Sequence, residues 1–326
     1  MKCGRALIVL SFAATTLFVG SFGPLQAAAT ARQCPSVPAP VITIPASRRY
    51  VESDPHRATV DPDAVAQRHQ KLMPVFRFLS IVAHLSDEVF RGESDKMRCL
   101  TRTLDQWAKV NALLGHTRAM QPGYDRAWAL AGLSLAILKG QRVGLQPSDD
   151  VRRWLKQLAA QVRTFAERHE LRNNLGAWSA LGVGASSRIT NDELDWQWAV
   201  AYHKMMLSQV DPDGTMPREL SRGKRALGYH VFAAIPLIAL QQLRECRKDA
   251  DENSKKSLSR LLLLLRSDSK GEVIRTKSGG FEQEDSPTNP SWIEVLQTGQ
   301  GQPVRMSRMG GDAKALHESL KCPAAH

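Results

Sequence analysis

The sequence predicts an all-α protein. Apolar residues recur every three or four positions in one segment after another, a spacing that places them on one face of a helix. The clearest such segment follows Ser148, and its apolar positions are Val151, Trp154, Leu155, Leu158, Val162 and Phe165. Strand-like alternation is scarce and the breaks are short. We therefore expect antiparallel helix pairs, arranged either as a bundle or as a ring of hairpins.

The first 31 residues have the composition of a secretory signal. Lys2 and Arg5 precede an apolar run over 6–22, and small residues follow at 27–31. The run is too short to span a bilayer comfortably, which favours a cleaved signal over an uncleaved anchor. No later apolar stretch reaches spanning length, so we expect no stable membrane insertion after cleavage. The mature protein would be periplasmic or secreted.

Two regions follow the signal. Residues 32–60 are rich in proline and predict an extended N-terminal arm, whereas residues 61–326 predict one helical domain. Within that domain we expect helices at about 61–88, 96–114, 125–139, 149–165, 174–184, 192–210, 222–247, 253–266 and 291–298. Pro74 is expected to kink or divide the first of them, because proline removes a helical hydrogen bond.

Four cysteines lie outside the predicted signal, and an even number in an exported chain predicts disulfides. Three pairings are open. We favour Cys34 with Cys99 and Cys246 with Cys322, because each would tie a terminal segment to the body of the protein. The nine histidines are scattered and no H-E-x-x-H motif occurs, so the sequence predicts no metal and no other cofactor.

The chain is strongly basic. Its formal net charge is +12, and about +10 remains once Lys2 and Arg5 leave with the signal. A cleft lined by charges of one sign concentrates ligands of the opposite sign. An acidic polysaccharide or an anionic envelope surface fits an exported protein better than nucleic acid, for which no motif is present, so we expect no nucleic-acid partner. A basic surface without any polyanion ligand is the alternative.

Three polar stretches interrupt the helical pattern and supply the candidate site residues. They are Arg49, Tyr50 and Arg57 in SRRYVESDPHRAT (47–59), Asn173, Asn174 and Trp178 in RNNLGAW (172–178), and Arg222, Tyr229 and His230 in DPDGTMPRELSRGKRALGYH (211–230). Arg222 and Tyr229 are seven residues apart, which on a helix leaves them on one face and two turns apart. An arginine and a tyrosine so placed can contact one substrate.

The third stretch resembles a segment of secreted alginate lyases that reads D-x-D-G-x-x-P-x-E-x-x-R-x-x-x-A-L-x-Y-H. YVESDPHRAT, CLTRTLDQWAKVNALLG, YDRAWALAGLSLAILK and NPSWIEV are similar to further parts of that family, so the resemblance covers roughly residues 47–300. It implies an incomplete (α/α) toroid of antiparallel helical hairpins, with a cleft for an acidic polymer. The implied substrate is a β-linked polyuronate, either mannuronan (alginate) or a glucuronan-like polymer. A polymer-export assembly is a further candidate partner.

The resemblance also implies β-elimination. The proton on carbon 5 of a uronate is hard to remove beside a negative carboxylate, which must first be neutralised. By resemblance Asn174 and Arg222 neutralise that carboxylate, and Tyr229 is both the base and the acid. The pKa of Tyr229 would have to fall from about 10, and Arg222 and Arg49 are the cations we expect to lower it.

We expect Arg49, Tyr50, Arg57, Asn173, Trp178 and His230 to bind substrate or support the site. Structural roles compete with these assignments. Asn173 or Asn174 would cap the helix that follows, and Trp178 would pack in the core. His230 points about 100° away from Tyr229 on a helix, which indicates a supporting or buried residue rather than a catalytic one.

RNNLGAW departs from the family pattern N-N-H-x-Y-W. Leu175 stands where the family has a histidine, and Ala177 stands where it has a tyrosine. Loss of one acid-base group typically lowers a rate by about 10²–10⁴-fold. The sequence is therefore compatible with a lyase that works through Tyr229 alone, and with a relative that binds an acidic exopolysaccharide without cleaving it.

Overall fold

The computed structural model describes residues 34–286 and 288–322, so the predicted signal segment lies outside the described residues. Twelve α-helices account for most of the described chain. They are α1 (Pro62–Phe90), α2 (Asp95–Ala108), α3 (Met120–Gln141), α4 (Asp149–Arg168), α5 (Asn174–Thr190), α6 (Glu193–Leu207), α7 (Pro217–Leu220), α8 (Ala226–Cys246), α9 (Glu252–Ser267), α10 (Glu272–Lys277), α11 (Ser291–Thr298) and α12 (Ala313–Leu320). The prediction of an all-α protein is confirmed.

The single sheet of the described chain is a short hairpin near its C-terminal end. Strand β1 (Arg305–Met306) pairs antiparallel with β2 (Gly311–Asp312), and a turn of 3-10 helix joins them. The hairpin was not predicted, because two-residue strands are too short for alternation to be visible in the sequence. Helices α7, α10 and α12 were also not predicted.

Side-chain caps explain why several helices begin where they do. Ser148, Asp61, Asp192, Asp251 and Asp312 each accept a hydrogen bond from a backbone N–H in the first turn of the following helix. Helix α1 runs through Pro74 without a break, so the predicted division is wrong. The proline stands in the middle of a 29-residue helix whose remaining hydrogen bonds and buried face hold it together.

The core is built around α3 and α5, both of which are buried on nearly all sides. Helix α5 packs against α3, α4, α6 and α8, while α1 and α2 pack on the far side of α3 and α4. Residues 223–246, which contain α8, are long and apolar enough to cross a membrane, contrary to our expectation for the later part of the chain. However, 78% of the 18-residue apolar stretch within this segment is buried inside the protein, as expected of a core helix.

Two disulfides tie the ends of the described chain to this core. Cys34 bonds to Cys99 in α2, and Cys246 at the end of α8 bonds to Cys322. The favoured pairing is confirmed. Residues 34–61, which contain no helix, are therefore fixed at one end by a covalent bond.

We expect the Cys34→Ser/Cys99→Ser variant to lose about 4 kcal/mol of unfolding free energy, because the bond closes a loop spanning 65 residues. Urea unfolding of the variant and of the parent protein under non-reducing conditions measures the difference. Cys246→Ser/Cys322→Ser closes a loop of similar length and is the matched comparison. A loss below about 1 kcal/mol would show that the arm is held mainly by its other contacts.

Candidate active site

One cavity of about 430 Å³ gathers side chains from both ends and the middle of the described chain. The arm, α3, the start of α5, the turn before α8, α8 itself and the β1–β2 hairpin all contribute. The lining residues are Arg49, Tyr50, Arg57, Gln121, Tyr124, Trp128, Asn174, Leu175, Arg222, Arg225, Gly228, Tyr229, Phe232, Thr288, Arg305, Met306 and Arg308.

The described lining of the cavity is cationic. It contains six arginines and no aspartate, glutamate, histidine or lysine. Its other titratable groups are Tyr50, Tyr124 and Tyr229. Such a lining favours an anionic ligand and repels cations.

The arm enters the cavity as a closed loop. Tyr50 and Val60 form a β-bridge at its base, and the Asp54 carboxylate accepts the N–H groups of His56, Ala58 and Thr59. These hydrogen bonds hold the pKa of Asp54 well below its usual range. The loop thereby presents Tyr50, whose hydroxyl lies 2.6 Å from that of Tyr229.

Tyr229 lies at the centre of this arrangement. The Arg222 guanidinium stacks over its ring, with the Cζ atom 4.8 Å from the ring centroid. Arg222 precedes α8 rather than lying on it, so the predicted helical spacing is wrong although the two side chains do meet. A sharp turn brings them together: Gly214 has φ +89°, Pro217 opens α7, and a 3-10 turn leads into α8.

The pKa of Tyr229 is raised, which contradicts the expected fall. Burial is the main cause, and Tyr50 adds to it, while Arg222 and Arg225 act in the opposite direction. We expected Arg49 to lower the pKa of Tyr229, but Arg225 does so instead. The Arg49 guanidinium lies over the Tyr50 ring, with its Cζ atom 5.6 Å from the ring centroid. The hydroxyl of Tyr229 is therefore protonated at neutral pH.

Asn174 is held from behind by a buried carboxylate. Its backbone N–H donates to Oε1 of Glu219 at 2.5 Å, and its Nδ2 donates to Oε2 at 2.9 Å. Glu219 is fully buried, and burial raises its pKa whereas Asn174 and Arg222 lower it. One amide hydrogen of Asn174 is thus already in use, and Oδ1 has no partner among the described residues. Asn174 offers a ligand one remaining N–H and one acceptor.

Arg308 is a second cation held by aromatic rings. Its Cζ atom lies 4.7 Å from the centroid of Trp128 and 5.4 Å from that of Phe232. Burial is the main cause that lowers the pKa of Arg308 to about 10, and the nearby cation Arg49 contributes to the same shift. It still carries its charge at neutral pH, in a wall that is otherwise apolar at this point.

Three predicted site residues lie outside the cavity lining. The Oδ1 atom of Asn173 accepts the N–H of Leu175, so Asn173 caps α5. Trp178 is fully buried and donates to the carbonyl of Phe232, which makes it a support behind the wall. Nδ1 of His230 donates to Ala226 O, and its Nε2 accepts the N–H of Met216. Burial lowers the pKa of His230 to about 4.

The remaining predicted residues, Arg49, Tyr50, Arg57, Asn174, Arg222 and Tyr229, line the cavity together. The lining residues that the sequence did not point to come from α3, the 3-10 turn before α8, α8 itself, the segment before α11 and the hairpin. Gln121, Tyr124 and Trp128 have helical spacing and share one face of α3, a signal hidden by the apolar character of the whole helix. Arg305 and Arg308 lie in a segment without periodicity.

Within the described part of the chain, no group of three or more His, Cys, Asp or Glu side chains is arranged to hold a metal ion.

Comparisons with known proteins agree on one family. The family model described as alginate lyase matches residues 47–262. A polysaccharide lyase of Stenotrophomonas maltophilia (strain K279a) is 31% identical over 68% of this chain and 69% of its own length. An alginate lyase of Pseudomonas fluorescens (strain SBW25) is 26% identical over 92% of this chain and 88% of its own length.

Solved structures show the same fold. A Tyr-to-Phe variant of alginate lyase A1-III complexed with a tetrasaccharide matches with a TM-score of 0.69 and 19% identity, over 87% of this chain and 85% of the other. Alginate lyase A1-III from Sphingomonas species A1 matches with a TM-score of 0.64 and 18% identity, over 87% and 86% of the two chains. The fold of this chain is thus the incomplete α/α toroid that the resemblance implied.

We expect Glu219→Gln to lower the unfolding free energy by about 1–3 kcal/mol, because the new amide places a donor against one of the two N–H groups of Asn174. Urea unfolding measures the loss. Glu245→Gln, at an exposed glutamate of α8, is the matched control and should change stability by less than about 0.5 kcal/mol. Equal losses of unfolding free energy at both positions would contradict a stabilising role for the buried pair of Glu219 and Asn174.

Proposed function

The chain belongs to the alginate lyase family, and from that premise we propose that it cleaves a β-linked polyuronate by β-elimination. The observation that carries the proposal is the meeting of Tyr229, Arg222 and Asn174 in a cavity whose described lining holds six arginines and no acid. The relatives named alginate lyase and polysaccharide lyase support this class of reaction. Mannuronan is the proposed substrate, with a glucuronan-like polymer as the second choice.

Arg222 and Asn174 are proposed to bind the carboxylate of the reacting sugar. Nε of Arg222 has no partner among the described residues, and Asn174 retains one amide hydrogen beyond the one given to Glu219. Two donors on one carboxylate reduce its negative charge, which makes the hydrogen on carbon 5 easier to remove. Arg222 contributes the larger share because its charge is permanent.

Tyr229 is proposed to move the proton. Its phenolate takes the hydrogen of carbon 5, the C–H electron pair becomes the double bond between carbons 4 and 5, and the C4–O bond breaks. The departing oxygen then receives that proton from the Tyr229 hydroxyl. One group can serve both steps where the hydrogen and the leaving oxygen lie on the same side of the ring, as they do in β-linked mannuronate and glucuronate.

Leu175 limits which polyuronates we expect this site to cleave. It lines the cavity next to Asn174, where the family pattern has a histidine, and its side chain has no acid-base chemistry. Guluronate places the two groups on opposite faces of the ring, so its cleavage requires a base separate from the acid. Among the described lining residues Tyr50 and Tyr124 are the only further acid-base groups, and Tyr50 is already bonded to Tyr229. We therefore expect guluronan to be a poor substrate.

A second candidate function rests on Leu175 as well. Without the histidine, the same cavity is suited to hold an acidic exopolysaccharide without cleaving it. A binding role of this kind would be consistent with an exported protein that acts in the periplasm or outside the cell, alone or within a polymer-export assembly.

We expect mannuronan to yield an unsaturated uronate product that absorbs in the ultraviolet, and Tyr229→Phe to lower the rate at least about 100-fold, because it removes only the acid-base hydroxyl. The assay follows absorbance with mannuronan, guluronan, glucuronan and hyaluronan. Tyr202→Phe is the matched control, since that hydroxyl donates to the Leu171 carbonyl and lies outside the cavity lining.

The outcomes separate the candidates. No product from any of the four polymers would contradict the lyase proposal, and calorimetric binding of polyuronate without product would select the binding role. A Tyr229→Phe variant that keeps activity within about threefold would show that another group is the base.

The rate should rise with pH. Burial raises the pKa of Tyr229, so its base form is scarce at neutral pH and grows about tenfold per pH unit below that pKa. We expect kcat/KM to increase without a plateau from pH 7 to about 9.5, a range in which Arg308, with a pKa of about 10, still keeps much of its charge. A plateau reached by pH 8 would contradict a base with a raised pKa.

A further inference from the structure

The β1–β2 hairpin carries three cavity residues, and its own short ladder has only two residue pairs. A ladder of this length is not stable alone in water. The side chains of Arg305, Met306 and Arg308 therefore depend on contacts that the hairpin makes with the helices beneath it.

Asp87 supplies several of these contacts. It lies on α1 and is fully buried, and its carboxylate accepts the N–H of Asp312 at 3.2 and 3.1 Å. The same carboxylate accepts a hydrogen bond from Nη2 of Arg305 at 2.5 Å. One buried acid thus fixes the backbone of β2 and the side chain of β1 together.

Lys139 completes the cluster from the other side. It lies on α3, is fully buried, and its Nζ donates to Asp87 and to the carbonyl of Gly310 at 2.6 Å. Burial lowers the pKa of Lys139, whereas Asp87 raises it. The lysine therefore links α1, α3 and the turn of the hairpin through a single charged group.

The hairpin and the helices are shaped for this close approach. A Cβ atom on Gly311 would lie 2.5 Å from Oδ2 of Asp87, and one on Gly132 of α3 would lie 2.3 Å from the carbonyl oxygen of Ser307. Side chains at either glycine would push the hairpin away. The seat of the hairpin is thus built by Asp87 and Lys139 together with two glycines.

We propose that Asp87 and Lys139 are positioning residues, which hold the hairpin so that Arg305 and Arg308 face the cavity and bind carboxylates of the polymer. This positioning role depends on the proposed function only for the identity of the ligand, a polyuronate. Neither residue lines the cavity, so both act through the hairpin.

The test uses Lys139→Met in a Tyr229→Phe background, which binds polymer without the proposed cleavage step. We expect the Kd for mannuronan, measured by calorimetry, to rise about tenfold. Amide exchange at residues 305–312 without polymer should be at least about tenfold faster. When Arg305→Ala and Arg308→Ala are both already present, Lys139→Met should change the Kd by less than about twofold, because the hairpin has lost both contacts that the seat positions.

Arg244→Met is the matched control. Arg244 is also a fully buried cation, and its partners are Asp249 and Asp251, which lie outside the cavity lining. It should lower stability without changing the Kd or the exchange of residues 305–312. Asp87→Asn tests the same seat if Lys139→Met does not fold, since it keeps the shape of the side chain and removes its charge.

Two results would overturn the proposal. One is unchanged hairpin exchange in both seat variants. The other is an equal loss of affinity from Lys139→Met with and without the two arginines Arg305 and Arg308. Faster hairpin exchange in a protein that binds neither mannuronan nor glucuronan would instead contradict the polyuronate ligand, both here and in the proposed function, and leave the seat itself supported.

Discussion

Repulsion among like charges is the constraint around which this structure is arranged. Six arginines face one cavity, and cations a few ångströms apart repel one another strongly where water is partly excluded. Aromatic rings offset part of this cost, with Arg222 over Tyr229 and Arg308 between Trp128 and Phe232. Arg57 and Arg305 are exposed to solvent, so water screens part of the remaining repulsion.

The acids that could neutralise the cavity lie one layer behind its wall. Glu219 holds Asn174, Asp87 holds the hairpin, and Asp125 forms a buried bidentate pair with Arg68. Each carboxylate fixes a wall element from outside the cavity, and none of the three is itself a lining residue. The wall is therefore held by charge while the space inside stays positive, an arrangement suited to a ligand that brings its own negative charges.

The helices could be predicted because their apolar spacing and caps are local properties. Ser148 caps α4 as its sequence indicates, and α11 begins and ends at the predicted residues. The site was predictable only where a motif carried it, as at Arg222 and Tyr229. Trp178 lies within such a motif but turns into the core, which depends on packing that spacing does not encode, whereas His230 is buried as its helical offset from Tyr229 indicated. The raised pKa of Tyr229 depends on burial and on Tyr50, which is 179 residues away in the chain.

The cavity takes residues from position 49 to position 308, so its wall is complete only when both ends of the described chain have folded onto the core. A ribosome delivers these segments in order, and the hairpin with Arg305 and Arg308 emerges after the other lining residues. A partly synthesised or truncated chain can contain Tyr229 and Arg222 and still lack one wall. Any function that needs this wall therefore begins only once the hairpin has been synthesised and has docked on the helices.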